Sequence, residues 1–108
     1  VQVTEGAGLL VVMPATANIL AKAAVGLADD AVSAAILAAS CPVVFVPNMN
    51  ERMWRSAPVQ RNVRTLIGDG HVVVTPVEGV TISTGRPAVG AMPDFDAIVG
   101  VLRRAVRR

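Results

Sequence analysis

Apolar residues follow two spacings along this chain. Residues 9–12 (Leu-Leu-Val-Val) and 43–46 (Val-Val-Phe-Val) form short unbroken apolar runs of strand length. Such runs fit strands buried on both faces of a parallel sheet. Residues 71–75 (His-Val-Val-Val-Thr) predict a third strand. Between the first two runs, Ile19, Leu20, Ala23, Ala24 and Leu27 recur at helical spacing and predict a helix to about residue 28. Asp29 and Asp30 open the next helix, over residues 31–39, where carboxylates favour the N-terminal end of the dipole. Ser56-Ala57-Pro58 signals a further start, with the serine as cap and the proline in the first turn. That helix covers residues 59–67, with Val63 and Leu66 or Ile67 inward, and Gly68 and Gly70 close it. Asp94 caps a final helix over residues 95–106, with Ile98, Val101, Leu102 and Ala105 inward. Strands alternating with helices predict an α/β fold with a doubly wound parallel sheet.

The remaining segments are irregular. Residues 1–8 read as loop or helix end, punctuated by Gly6 and Gly8. Residues 76–92 are rich in glycine and proline and read as a loop. It is longer than most loops of compact domains, which favours a functional lid.

In open α/β sheets, small molecules collect beyond the carboxyl ends of the strands. Two polar stretches lie there. After the second apolar run comes Pro47-Asn48-Met49-Asn50-Glu51-Arg52-Met53-Trp54. Asn50 offers an amide that can donate to a carboxylate, and Met53 and Trp54 offer a soft apolar wall. After the first run comes Met13-Pro14-Ala15-Thr16-Ala17-Asn18. Thr16 and Asn18 fit the entry to a helix, where side-chain oxygens accept from free backbone N–H groups. A helix start beyond a strand is also an anion site.

Composition narrows the class. The chain has 108 residues, enough for one domain, and 53% of them are apolar. High apolar content with little charge points to further surface buried in an oligomer. No apolar run reaches membrane-spanning length, and no signal peptide is visible. Cys41 is the single cysteine, which excludes an internal disulfide framework and fits a reducing cytoplasm. It reads as a small buried residue rather than a nucleophile, since it has no basic neighbour in sequence. His71, the one histidine, stands at a strand start far from both stretches, and an edge position suits it better than that of a base. Net charge is +2, and Arg103, Arg104, Arg107 and Arg108 cluster at a helix C-terminus, where the dipole favours cations. Without aromatics spread along a groove, they do not make a nucleic-acid surface. There is no P-loop, no complete dinucleotide fingerprint and no Cys/His cluster with metal spacing.

Taken together, the two stretches resemble the flavin-dependent cysteine decarboxylases. That family includes peptidyl-cysteine decarboxylases of antibiotic biosynthesis and phosphopantothenoylcysteine decarboxylase. Its marks are a Pro-Ala-Ser-Ala-Asn-Thr-like stretch and a Pro-x-Met-Asn-x-x-Met-Trp stretch. Pro47, Met49, Asn50, Met53 and Trp54 match the second completely. Pro14, Ala15, Ala17 and Asn18 match the first, with Thr16 for the serine and Ile19 in place of the following threonine. The resemblance implies a flavodoxin/Rossmann-like single domain over residues 1–108, with FMN held by Pro14, Ala15, Thr16, Ala17, Asn18 and Met49. One polar contact to the cofactor is in doubt at Ile19. The family's catalytic histidine lies about a dozen residues before the first motif, at or just before Val1. The sequence therefore reads as the C-terminal part of a longer chain, with the first strand and phosphate loop upstream.

The resemblance assigns Asn50 to the substrate carboxylate that leaves, and Met53, Trp54 and Thr84 to the substrate pocket. Residues 76–92 correspond to the family's substrate flap. The coenzyme A enzyme carries a flap cysteine followed directly by glycine; here Thr84 precedes Gly85, with Gly90 and Met92 in register. A cysteine carboxylate lacks an electron sink until flavin takes hydride from Cβ and the thiol becomes a thioaldehyde. Loss of CO2 then leaves an enethiol. A threonine hydroxyl is a far weaker acid than a thiol, so the enethiol is the expected product. This favours the peptide decarboxylases of lanthipeptide, linaridin and thioamitide biosynthesis, which act on a precursor peptide ending in cysteine and feed aminovinyl-cysteine formation. Phosphopantothenoylcysteine decarboxylation is the alternative. A non-catalytic regulatory module of the same fold is a third reading. The family also implies a cytoplasmic homo-oligomer built from trimers, up to a dodecamer, with the flavin at a subunit boundary.

Overall fold

The computed structural model describes residues 2–6, 9–80 and 87–91. Four strands form one sheet in the order β1-β2-β3-β4: Gln2–Gly6, Leu9–Ala15, Val43–Pro47 and Val72–Val73. β2, β3 and β4 are mutually parallel, with Val11 beside Val44 and Val44 beside Val72. β3 is buried along its whole length, as its unbroken apolar run requires. The parallel α/β core is therefore the predicted one.

Residues 2–6 correct the expectation of loop or helix end. They form a strand antiparallel to β2, with Val3 opposite Val12 and Gly6 opposite Leu9. Polar and β-branched residues alternate through Gln2-Val3-Thr4-Glu5, which suits an edge strand. Gly6 is the last residue of this strand rather than an end of structure.

Among the described residues, four helices connect the strands: α1 (Ala17–Val25), α2 (Ala31–Ala38), α3 (Glu51–Arg55) and α4 (Ala57–Gly68). Leu20, Ile36, Val63 and Leu66 meet Leu10, Val12, Val43 and Phe45 on one face of the sheet. Leu9, Val44, Val46 and Val74 belong to the other face and are also buried. On α4, Leu66 faces inward and is fully buried, while Ile67 is 55% exposed. α1 stops at Val25, short of the expected residue 28. Gly26 adopts φ 78° there, and both its N–H and that of Leu27 donate to the Lys22 carbonyl. The left-handed conformation ends the helix, and glycine reaches it without a Cβ penalty.

α3 inserts a short helix within the second polar stretch. Residues 76–92 are not simply a loop. Val77–Val80 (β5) and Pro87–Ala91 (β6) pair antiparallel in a second, two-stranded sheet, and β6 runs beside α3. The expected final helix, with its cap Asp94, lies outside the described residues.

Candidate functional site

The first polar stretch divides between a strand end and a helix start. Pro14 and Ala15 finish β2, and the Met13–Pro14 peptide is cis. Thr16 caps α1: its backbone is extended, and its Oγ1 accepts from the Ile19 N–H at 3.2 Å. The Thr16 carbonyl accepts from Leu20. The N–H groups of Ala17 and Asn18, in the first turn, need partners from outside the helix. Thr16 and Asn18 are exposed, and α1 has no acidic residue in its first turn. Ala15 is fully buried in the core, and Ala17 packs against it. This donor-rich helix start fits an anionic or carbonyl-bearing cofactor such as a flavin nucleotide. Ile19, which replaces a threonine hydroxyl in the resemblance, is buried in the core.

The second stretch lies directly beside the first. Ala15 is in register with Pro47, and the Asn48 N–H donates to the Ala15 carbonyl at 3.1 Å. Burial then alternates: Pro47 and Met49 are buried, Asn48 and Asn50 exposed. Asn50 caps α3, its Oδ1 accepting from the Met53 N–H at 2.9 Å. A carboxamide is planar, so fixing Oδ1 over the helix end directs Nδ2 away from it. The amide donor is thus held in place and left available.

The apolar members part company. Trp54 belongs to the core, and its carbonyl accepts from Gln60 Nε2 at 2.6 Å. Met49 is in the same core cluster. Met53 is 44% exposed and is the apolar side chain that α3 offers outward. Residues Pro14 to Asn18 and Met49 to Trp54 are thus gathered at one end of the sheet. Thr84 and Gly85 lie outside the described residues, while Gly90 is in β6, the strand beside α3.

Two features had not been singled out in sequence. Asn48 is one, and the alternation of Pro47 and Met49 inward was the signal for it. The other is a clasp behind the site. Lys22 Nζ lies 2.6 Å from Asp30 Oδ2 and 2.9 Å from Asp29 Oδ1, joining α1 to the start of α2. Asp30 also caps α2, accepting from the Ser33 N–H at 2.7 Å within a capping box. The Lys22 ammonium, aided by Ser33, holds the Asp30 carboxyl below the usual carboxylate range. Hydrogen bonds to Asp30 and Asp29 raise Lys22 in turn.

His71 stands apart, as expected. Its Nδ1 accepts from the Val43 N–H at 3.2 Å, and its ring meets Phe45 edge-on. It lines a cavity of about 330 Å³ with Asp69 and the C-terminal end of α1, remote from the two polar stretches. Cys41 is half-buried. Among the described residues, no group of three or more His, Cys, Asp or Glu is placed to hold a metal ion, and no helix is long and apolar enough to cross a membrane.

Comparison with known proteins places this arrangement. Coenzyme A biosynthesis bifunctional protein CoaBC of Mycobacterium tuberculosis is 38% identical over 108 residues, all of this chain and 26% of that protein. Mersacidin decarboxylase of a Bacillus species is 37% identical over 105 residues, covering 94% of this chain and 54% of the enzyme. The chain therefore spans about a quarter to a half of the curated relatives it matches. Among solved structures, a PPC decarboxylase mutant complexed with pantothenoylaminoethenethiol superposes with TM-score 0.86 at 29% identity, over 94% of this chain and 56% of that one. The FMN-dependent cysteine decarboxylase SpaF superposes with TM-score 0.75 at 42% identity, over 94% and 53%. The flavoprotein family model matches residues 1–107. With both polar stretches at the carboxyl end of its parallel sheet, the chain belongs to the flavoprotein family.

Proposed function

We propose that this chain is part of an FMN-dependent decarboxylase that acts on the C-terminal cysteine of a precursor peptide and releases an enethiol. One observation carries the reading: the Asn48–Ala15 hydrogen bond sets the capped start of α1 beside Asn50, whose amide donor is fixed and unspent. In this reading the start of α1, with Thr16 and Asn18, holds polar atoms of the flavin, beside Pro14, Ala15 and Ala17. FMN held there would supply the two-electron oxidising power that lets a cysteine carboxylate leave as CO2. Asn50 Nδ2 donates to the substrate carboxylate and orients its C–C bond. Met53 supplies an apolar contact, Trp54 anchors α3 from the core, and Met49 packs beneath the cofactor site. The two strands β5 and β6, of which β6 runs beside α3, belong to the substrate flap, and Thr84 falls between them in sequence.

Similarity to mersacidin decarboxylase and SpaF supports a peptide substrate. Similarity to CoaBC and to the PPC decarboxylase complex equally supports phosphopantothenoylcysteine. Thr84 tips the balance, because an alkyl hydroxyl does not protonate an enethiolate carbon at neutral pH. The working protein is a cytoplasmic homo-oligomer built from trimers. Full-length protein is expected to purify yellow and to remove CO2 plus two hydrogens from a peptide ending in cysteine, read by mass spectrometry. Loss of CO2 alone would move the assignment to the coenzyme A reaction. A colourless protein that takes up no added FMN leaves a non-catalytic binding module.

A further inference from the structure

We infer that Asn48 is a specificity-determining residue that pairs with a backbone amide of the peptide substrate. The inference rests on the reading of this site as one for a C-terminal cysteine, and deepens it.

Asn48 is the last group before α3 whose position is fixed by the sheet. Its N–H is committed to the Ala15 carbonyl at 3.1 Å, so its backbone cannot swing away from the end of β2. Pro47 before it and Met49 after it are both buried, which forces its side chain outward. The same alternation sends Asn50 outward two residues later, and Asn50 keeps an extended backbone, with φ −68° and ψ 159°. The two carboxamides therefore stand on one side of one short segment. Neither the Asn48 side-chain carbonyl nor its amide has a hydrogen-bond partner among the described residues.

The spacing gives the chemistry. Two residues of extended chain span about 7 Å. A peptide lying extended across the segment, with its terminal carboxylate at Asn50, brings the peptide group of its penultimate residue the same distance along. A carboxamide carries one acceptor and two donors in one plane. It can accept from the penultimate N–H while donating to a neighbouring carbonyl, as a strand neighbour does. A charged or purely donating side chain matches the peptide group less well. Asn48 thus selects for an amide at that distance from the carboxylate, independent of side-chain identity.

The test uses the full-length flavin-loaded protein, Asn48→Ala, and two substrates. One is a pentapeptide ending in cysteine. The other is its analogue with an ester oxygen in place of the penultimate N–H. For wild-type protein, the ester is expected to raise KM about tenfold, the effect of one hydrogen bond, with kcat little changed. Asn48→Ala is expected to raise KM for the normal peptide by a similar factor, with flavin spectrum and thermal midpoint retained. In the variant the ester should cost nothing further. A wild-type KM in Asn48→Ala, or two losses that simply multiply, overturns the inference while leaving the decarboxylase reading intact. Wild-type protein that turns over no cysteine-ending peptide overturns that reading, and the inference with it.

Discussion

Asn50→Asp separates the capping that Asn50 performs from the carboxylate contact proposed for it. Its Oδ1 accepts from the Met53 N–H and caps α3; in the proposed site its Nδ2 donates to the substrate carboxylate. Aspartate caps as well as asparagine, and its charge suits a helix N-terminus, so stability should change by less than about 1 kcal/mol. The substrate loses a hydrogen bond to a charged group, worth about 1.5–3 kcal/mol. It also meets a second carboxylate. At ~4 Å that repulsion is about 4 kcal/mol at an effective dielectric of 20. Asn50 is exposed in this chain, so water reduces the figure to about 2 kcal/mol, taking twice that dielectric.

The sum, about 3.5–5 kcal/mol, predicts a fall in kcat/KM of about 10³-fold. The assay is the rate of CO2 loss from a cysteine-ending peptide by mass spectrometry, with flavin absorbance and thermal melting on the same samples. Asn50→Ala is the complement: it loses the cap as well, about 1 kcal/mol of stability, but introduces no repulsion. It should therefore melt lower than Asn50→Asp yet be the more active of the two. If Asn50→Asp keeps kcat/KM within tenfold of wild type, the carboxylate is not bound at Asn50 and the site must be redrawn.

Two predictions concern the elements behind the site. Gly26→Ala places a Cβ on a residue at φ 78°, with Leu37 Cδ1 at an ordinary 3.9 Å, so the cost is conformational rather than steric and near 1–2 kcal/mol in a denaturant melt. Asp30→Asn removes an acceptor that Lys22 holds in its charged form. Because the Asp30 carboxyl is lowered from its ordinary 3.8, its contribution is present above that value and lost as pH falls through the lowered one. Melting curves should show wild type ahead of Asp30→Asn at neutral pH, with the gap closing in strong acid; a gap independent of pH would show that the ion pair contributes nothing.

Much of the fold was legible because the chain is locally consistent. The unbroken runs around Val11 and Val44 could only be buried strands, and Ser56-Ala57-Pro58 could only open a helix. The misreadings share a cause. Gln2–Gly6 and Glu51–Arg55 are too short for periodicity to register, so pairing with β2 and the Asn50 cap decide them. Gly26 ends α1 through a backbone angle that no hydrophobic pattern records. Met49, which the resemblance gives to the cofactor, and Trp54, which reads as a pocket wall, both lie in the core cluster, a burial that their sequence positions do not record. Asn48 was passed over because its importance lies in a backbone bond to Ala15, a residue 33 positions earlier in the chain.

A cap and a ligand-binding group look alike in sequence, and here the atoms already in use tell them apart. Among the described residues, four helices begin with polar caps: Thr16, Asp30, Asn50 and Ser56. Asp30 accepts from Ser33 and Lys22 and, as a carboxylate, has nothing to donate. Ser56 accepts from Val59 and donates its hydroxyl to the Met53 carbonyl at 2.7 Å, so its donor is spent. Thr16 uses only its acceptor, toward Ile19, and Asn50 uses only its Oδ1, toward Met53. Both therefore keep a donor, a hydroxyl in one case and an amide in the other. These are the two caps that follow the carboxyl ends of β2 and β3, the strands joined through Ala15 and Asn48. Capping fixes each side chain by its acceptor and leaves its donor facing the same end of the sheet. A carbonyl-bearing cofactor and a carboxylate substrate both require donors, so in the proposed site one structural device equips both halves.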